Sequence, residues 1–170
     1  LASVEKIIVA LDFDGTIASG EKAKIKYAKQ FFNIDVRPDQ TTKETFPIGK
    51  EKYMELMQYV ATHAIIEYEL ESGVKEVLLK LCSLGFRFVV ITSRFDGPGG
   101  AEFVACIKFC RHHDLPITYF HNTNGLSKHE LCRRLHARAI IEDTYSKLLQ
   151  LQGSYAGLFF LRQPWNRHEL

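Results

Sequence analysis

Five short apolar runs separated by stretches of helical periodicity set the strongest limit on what this chain folds into. They are IIVAL (7–11), FRFVVI (86–91), ITYF (117–120), AII (139–141) and GLFFL (157–161). Continuous apolar runs of this length suit strands buried on both faces, and such strands belong to parallel sheets covered by helices. Val74, Val77, Leu78 and Leu81 recur at i, i+3, i+4 and i+7, and Gly85 follows as a helix stop. Ser127 predicts the start of another helix, with Glu130 placed to complete a capping box and Leu131 and Leu135 turned inward. The expected fold class is therefore α/β, built on a parallel sheet.

Residues 18–72 break the alternation and contain no convincing strand. Tyr53, Leu56, Met57, Val60 and Ala64 keep helical spacing, a shorter helix is expected at 22–32, and RPDQTTKETFPIG (37–49) reads as a connecting loop. So long a helical excursion cannot simply cross one sheet face, so it should form a small subdomain over one end of the sheet. Ligands of open α/β sheets bind at the carboxyl ends of the strands, where an insertion after the first strand emerges. The insertion is thus placed to act as a lid. Its two halves differ in sign: residues 20–50 carry seven basic and four acidic side chains, and residues 51–72 one basic and five acidic. Lys22, Lys26 and Lys29 share one helical face, which reads as a solvated face before it reads as a steering surface for an anion.

Composition mainly excludes. With 170 residues, 46% of them hydrophobic, and a formal charge of +2, the chain is neither disordered nor basic enough to point to a nucleic acid polymer or an anionic membrane. The opening apolar run is too short for a signal segment or a membrane span, which leads us to expect a cytoplasmic protein. Cys82, Cys106, Cys110 and Cys132 form no CxxC pair and are expected to be reduced. Cys106 and Cys110, with His112 and His113 beyond, can be drawn as a metal site, but the four-residue spacing reads first as core packing.

The chemistry gathers at the strand ends. The first strand closes ALDFDGT, which puts Asp12 and Asp14 on one side of an extended segment with Phe13 on the other, and Gly15 then lets the chain turn. Two ionised carboxylates on one side repel, and a cation between them relieves that. The fourth strand ends IIED, bringing Glu142 and Asp143 to the same edge. Aspartate is common in turns after strands, but two such clusters at one edge form an all-oxygen site, which favours Mg²⁺ over zinc or copper. The second strand ends ITSR, so the hydroxyls of Thr92 and Ser93 can bind a phosphoryl oxygen and Arg94 can add a bidentate contact. Lys128 begins the helix before the fourth strand. Mg²⁺, a lysine and hydroxyl donors around two aspartates suit phosphoryl transfer.

These segments, VALDFDGTI, VVITS, Lys128 and IIEDT, resemble the haloacid dehalogenase (HAD) superfamily of phosphotransferases in all four of its signature motifs. The resemblance implies a Rossmann-like sheet in the order 3-2-1-4-5 with a small helical cap inserted after strand one, residues 1–17 and 73–170 forming the core and 18–72 the cap. It also implies that Asp12 is a nucleophile forming an aspartyl phosphate, and that Asp14 protonates the leaving oxygen and later activates water. The Asp14 carbonyl and the Asp12 and Asp143 side chains would hold Mg²⁺, with Glu142 a ligand or a group just behind. Thr92, assisted by Ser93, would bind the phosphate, and Lys128 would pair with the phosphate and Asp12. Family members that cleave carbon–halogen bonds lack the second aspartate, so Asp14 favours phosphate chemistry.

The segment LFFLRQPWNR (158–167) is similar to the closing strand and loop of the 5'(3')-deoxyribonucleotidase-like branch, with Leu161 and Arg162 where that branch has an acidic residue. The expected function is a phosphomonoesterase acting on a small phosphorylated metabolite, first a nucleoside monophosphate, then a sugar phosphate or similar ester, with a non-catalytic binding module as the remaining reading. A monomer or homodimer is expected. Phe31, Phe32, Phe46 and Tyr53 are the cap aromatics that can touch substrate, and Phe46 stands out because it lies in a loop beside Pro47. GPGG (97–100) either borders the site or only joins a strand to a helix.

Overall fold

The computed structural model describes residues 6–94, 100–153 and 157–166. Gly97, Pro98 and Gly99 of the GPGG stretch, and Arg167 at the end of PWNR, lie outside them. The elements in chain order are β1 (Ile7–Leu11), β2 (Ala18–Ser19), α1 (Glu21–Phe32), α2 (Lys50–Val60), β3 (Glu69–Leu70) and α3 (Val74–Ser83). They continue with β4 (Phe86–Thr92), α4 (Ala101–His112), β5 (Ile117–Asn122), α5 (Lys128–Arg134), β6 (Ala139–Glu142), α6 (Tyr145–Leu149) and β7 (Gly157–Phe160). Five parallel strands form one sheet in the order β5-β4-β1-β6-β7, which is the 3-2-1-4-5 order of the five apolar runs.

The central strands are largely apolar because both faces are covered. Val9, Leu11 and Phe13 enter one buried cluster with Phe88, Val90, Cys106, Phe109 and Cys110, while Ala10, Val89, Ile91 and Ile140 enter another with Leu131, Leu148 and Leu151. Cys106 and Cys110 are core residues, and all four cysteines are unpaired thiols. Phe13 is wholly buried, with its ring edge-on to Phe109 at 5.6 Å. Burying such a side chain contributes about 2–3 kcal/mol, so this ring anchors the backbone between Asp12 and Asp14.

The insertion differs from expectation in one respect. Ala18 and Ser19 pair antiparallel with Leu70 and Glu69, giving a short ribbon at the mouth of a stretch expected to hold no strand. Two-residue strands have no alternation to detect. Between them α1 and α2 pack through Tyr27 and Tyr59, ring centroids 4.9 Å apart. Lys22 and Lys26 of the basic half reach Glu69 and Glu67 of the acidic half, each at 2.7 Å, so the opposite signs face one another. Ser127 caps α5 as expected, its hydroxyl accepting from the Glu130 amide at 3.1 Å. The reciprocal half of the capping box is replaced, since the Glu130 carboxylate turns to Arg133 and Arg134.

Candidate active site

Register brings the strand ends together. Leu11 stands beside Val90 of β4 and Ile141 of β6, and the Asp12 amide extends the ladder by donating to the Ile141 carbonyl at 2.9 Å. Asp12, Thr92, Glu142 and Asp143 therefore meet at one edge, all buried. Asp12, Asp14, Thr92, Ser93 and Asp143 line a cavity of about 530 Å³, closed from the insertion side by Lys24, Tyr53 and residues 42–45. A smaller cavity of about 350 Å³ adjoins it through Ser93 and Lys147 and is walled by Lys128 and His129.

The Asp12 carboxylate is fixed on both oxygens. Oδ1 accepts from the Phe13 amide at 2.8 Å, and Oδ2 pairs with the Lys128 ammonium at 2.9 Å. Lys128 also pairs with Glu142, which is fully buried. The other Glu142 oxygen accepts from the Thr144 amide at 3.2 Å and faces Lys147 at 3.5 Å. With both oxygens engaged, Glu142 anchors the lysines from behind. Burial, reinforced by Glu142 and opposed by Lys128 and Lys147, holds the Asp12 carboxyl above its ordinary range. Burial and then the Asp12 charge do the same to Asp143. Carboxylate oxygens of Asp12, Glu142 and Asp143 lie within 4.8 Å of one another, and this buried, all-oxygen set fits a hard divalent cation.

Two expected roles change. Arg94 is not among the residues that line the cavity: its guanidinium grips Asp14 with two bonds, Nε to Oδ2 at 2.9 Å and Nη2 to Oδ1 at 2.8 Å. Its Nη1 donates to the Ala61 carbonyl at 2.8 Å, and the group lies against the Phe13 and Tyr68 rings. A bidentate fork suits a carboxylate as well as a phosphate, and the sequence separation of 80 residues hid which one it meets. Phe46, 5% exposed, lies in the core edge-on to Tyr53 at 5.6 Å. Its loop reaches the cavity through Thr42 and Thr45 instead.

Three contributors escaped the sequence reading. Lys147 stands 3.6 Å from Asp12 Oδ2, a second lysine among the carboxylates; burial lowers its pKa, but Asp12, Glu142 and Asp143 outweigh this and hold it above its usual value. The buried Asn166 amide donates to the Asp143 carbonyl at 2.6 Å and the Leu161 carbonyl at 2.9 Å. Gln163 donates to the Gly15 carbonyl at 2.8 Å. Trp165, of the LFFLRQPWNR segment, lines the cavity and donates its indole N–H to Asp143 Oδ2 at 3.1 Å. Gly15 sits at φ +73°, and a Cβ there would lie 2.2 Å from Asp143 Oδ2, so the turn after Asp14 packs directly on this carboxylate.

Comparison with protein-family models gives no match, nor does comparison with curated proteins by sequence. Solved structures do match. A hydrolase from Streptococcus pneumoniae TIGR4 superposes with a TM-score of 0.62 at 14% identity over 96% of each chain. A HAD-superfamily hydrolase of subfamily IA from Geobacter sulfurreducens PCA gives 0.62 at 12% identity, over 94% of this chain and 91% of that one. CbbY from Rhodobacter sphaeroides, crystallised with xylulose-1,5-bisphosphate, gives 0.63 at 13% identity, over 97% of this chain and 90% of that one. The chain shares the fold of these solved structures. In this fold the carboxyl ends of the sheet carry the carboxylate cluster, as expected for an open α/β sheet. No helix among the described residues is long and apolar enough to cross a membrane.

Proposed function

We propose that the protein is a Mg²⁺-dependent phosphomonoester hydrolase of the HAD type, with residues 18–72 as its cap. The observation that carries this reading is the Asp12 carboxylate, held by Lys128 at 2.9 Å and opening on a cavity shared with Asp14, Thr92 and Ser93. Asp12 attacks phosphorus as the bond to the ester oxygen breaks, and a proton from Asp14 goes to that leaving oxygen. Water then attacks the aspartyl phosphate, giving its proton back to Asp14 and releasing inorganic phosphate and free Asp12. Donating a proton requires Asp14 to turn away from the Arg94 fork. Lys128 and the Thr92 and Ser93 hydroxyls meet the charge on the phosphoryl oxygens. The Asp12 and Asp143 side chains and the Asp14 carbonyl would hold Mg²⁺, which supplies charge stabilisation to the phosphoryl group when bound.

The substrate is a small phosphate ester. Tyr53 and Trp165 on the cavity wall support a nucleoside 5'(3')-monophosphate, and the many polar groups around them support a sugar phosphate. Hydrolysis of an aryl phosphate with Mg²⁺ present tests the reading. Turnover is expected in the wild type and should fall to background in Asp12→Asn, whose amide is no nucleophile. Normal Mg²⁺-dependent turnover by that variant overturns the covalent mechanism.

A further inference from the structure

Helix α1 carries lysines at positions 22, 24, 26 and 29. Three of them spend their charge on carboxylates: Lys22 on Glu69 at 2.7 Å, Lys26 on Glu67 at 2.7 Å and Lys29 on Asp35 at 3.0 Å. Lys24 instead is partly buried and turned into the cavity that holds Asp12 and Asp14. Its ammonium donates to the Thr41 carbonyl at 3.2 Å and lies 5.8 Å from the centre of the Tyr53 ring. Among the described residues, no carboxylate reaches it within the 4.0 Å of an ion pair. Burial pulls its pKa down, but Tyr53, Tyr68 and Asp14 outweigh that pull and hold it above its usual value.

An ammonium has three donors, and one turned into a cavity with no carboxylate in direct contact keeps N–H groups free for a charged ligand. The wall beside it is polar: the Thr42 and Thr45 hydroxyls lie 2.9 Å apart at the cavity rim. Glu44, also on the rim, is opposed by Lys43 at 3.6 Å. Lys147 lines the cavity from the catalytic edge, and Lys24 and Lys43 line it from the insertion. A volume of about 530 Å³ holds a small ester that spans both sides.

We propose that Lys24 determines specificity by binding a second anionic group, a carboxylate or a second phosphate, at the far end of the ester whose phosphoryl group meets Asp12. This assignment rests on the phosphatase reading above. A neutral nucleobase leaves the Lys24 charge unmatched, so nucleoside monophosphates are poorer substrates than doubly anionic esters.

Three esters built on a three-carbon chain test it: propyl phosphate, 3-phosphonooxypropanoate and propane-1,3-diyl bisphosphate. In the wild type kcat/KM should favour the two charged-tail esters over propyl phosphate by roughly 10- to 100-fold, the size of a charge-assisted hydrogen bond. Lys24→Met should bring that ratio close to one, mainly through KM, and Lys24→Arg should retain most of it. A role confined to holding the Thr41 carbonyl would lower all three substrates together. Preference for the carboxylate or the phosphate tail identifies the group that Lys24 reads. A wild-type ratio near one, or an undiminished ratio in Lys24→Met, overturns the assignment while leaving the phosphatase reading intact. Absence of any aryl phosphate turnover by the wild type overturns that reading instead.

Discussion

Replacing Lys128 by methionine removes the cation from between two buried carboxylates while keeping the length of the side chain. Lys128 lies 2.9 Å from Asp12 and also pairs with Glu142, and the side chains of all three are at most 7% exposed. Deleting one partner of a buried pair costs about 3–5 kcal/mol, because the remaining charge stays buried without compensation. In a chain of this size each kcal/mol moves Tm by about 2–4 °C, so the variant should melt about 6–20 °C lower. Lys22→Met, which breaks a pair whose side chains are 73% and 53% exposed, should melt close to wild type. The loss depends on pH. Burial already holds Asp12 above its ordinary range and Lys128 opposes that shift, so the variant raises Asp12 further. A carboxyl raised in the folded state favours folding below its unfolded value of about 4, and that advantage is lost as pH rises through the raised value. The deficit should therefore be larger at pH 8 than at pH 5. Melting by circular dichroism in chelator at both pH values measures it. A Tm within about 2 °C of wild type at pH 8, below the shift of a single kcal/mol, refutes the view of Lys128 as the buried counter-charge.

Divalent metal should act in the same direction as Lys128. At Mg²⁺ one hundred times its dissociation constant the gain is about 2.7 kcal/mol, or about 5–11 °C in Tm, and Asp143→Asn should lose most of it; an equal shift in that variant would show that the ion binds elsewhere. Gly15→Ala places a Cβ 2.2 Å from Asp143 Oδ2 at a positive φ, so Mg²⁺-dependent turnover should fall at least tenfold. Gly49→Ala, at φ +87° with open space around it, should cost about 1–2 kcal/mol in a chemical denaturation curve and leave turnover near wild type.

The sheet was legible because strands buried on both faces leave runs such as IIVAL, and Asp12 and Asp14 were legible because the two-residue period of an extended chain puts them on one side. What the sequence hid was pairing across long separations. Nothing local in TSR shows that Arg94 grips a carboxylate and not a phosphate, and nothing in KETFP shows that Phe46 turns into the core while Thr42 and Thr45 turn to the cavity. Lys147 was missed because a five-residue helix carries too little periodicity to orient its side chains. Asn166 and Gln163 act through backbone carbonyls, contacts that leave no compositional trace.

The short antiparallel ribbon has a consequence for the molecule's history. Because Ala18 stands beside Leu70 and Ser19 beside Glu69, the chain departs from the sheet and rejoins it at a single point. Partner Cα atoms in such a pair are about 4.5–5.5 Å apart, a span that a tight turn closes as readily as fifty residues do. Each doubling of the excursion adds only about 0.6 kcal/mol of closure entropy, and the register of the five long strands is indifferent to its length. The roof over the carboxylates is thus an exchangeable part, free to be rebuilt for a new guest while the carboxylate edge beneath it stays in place.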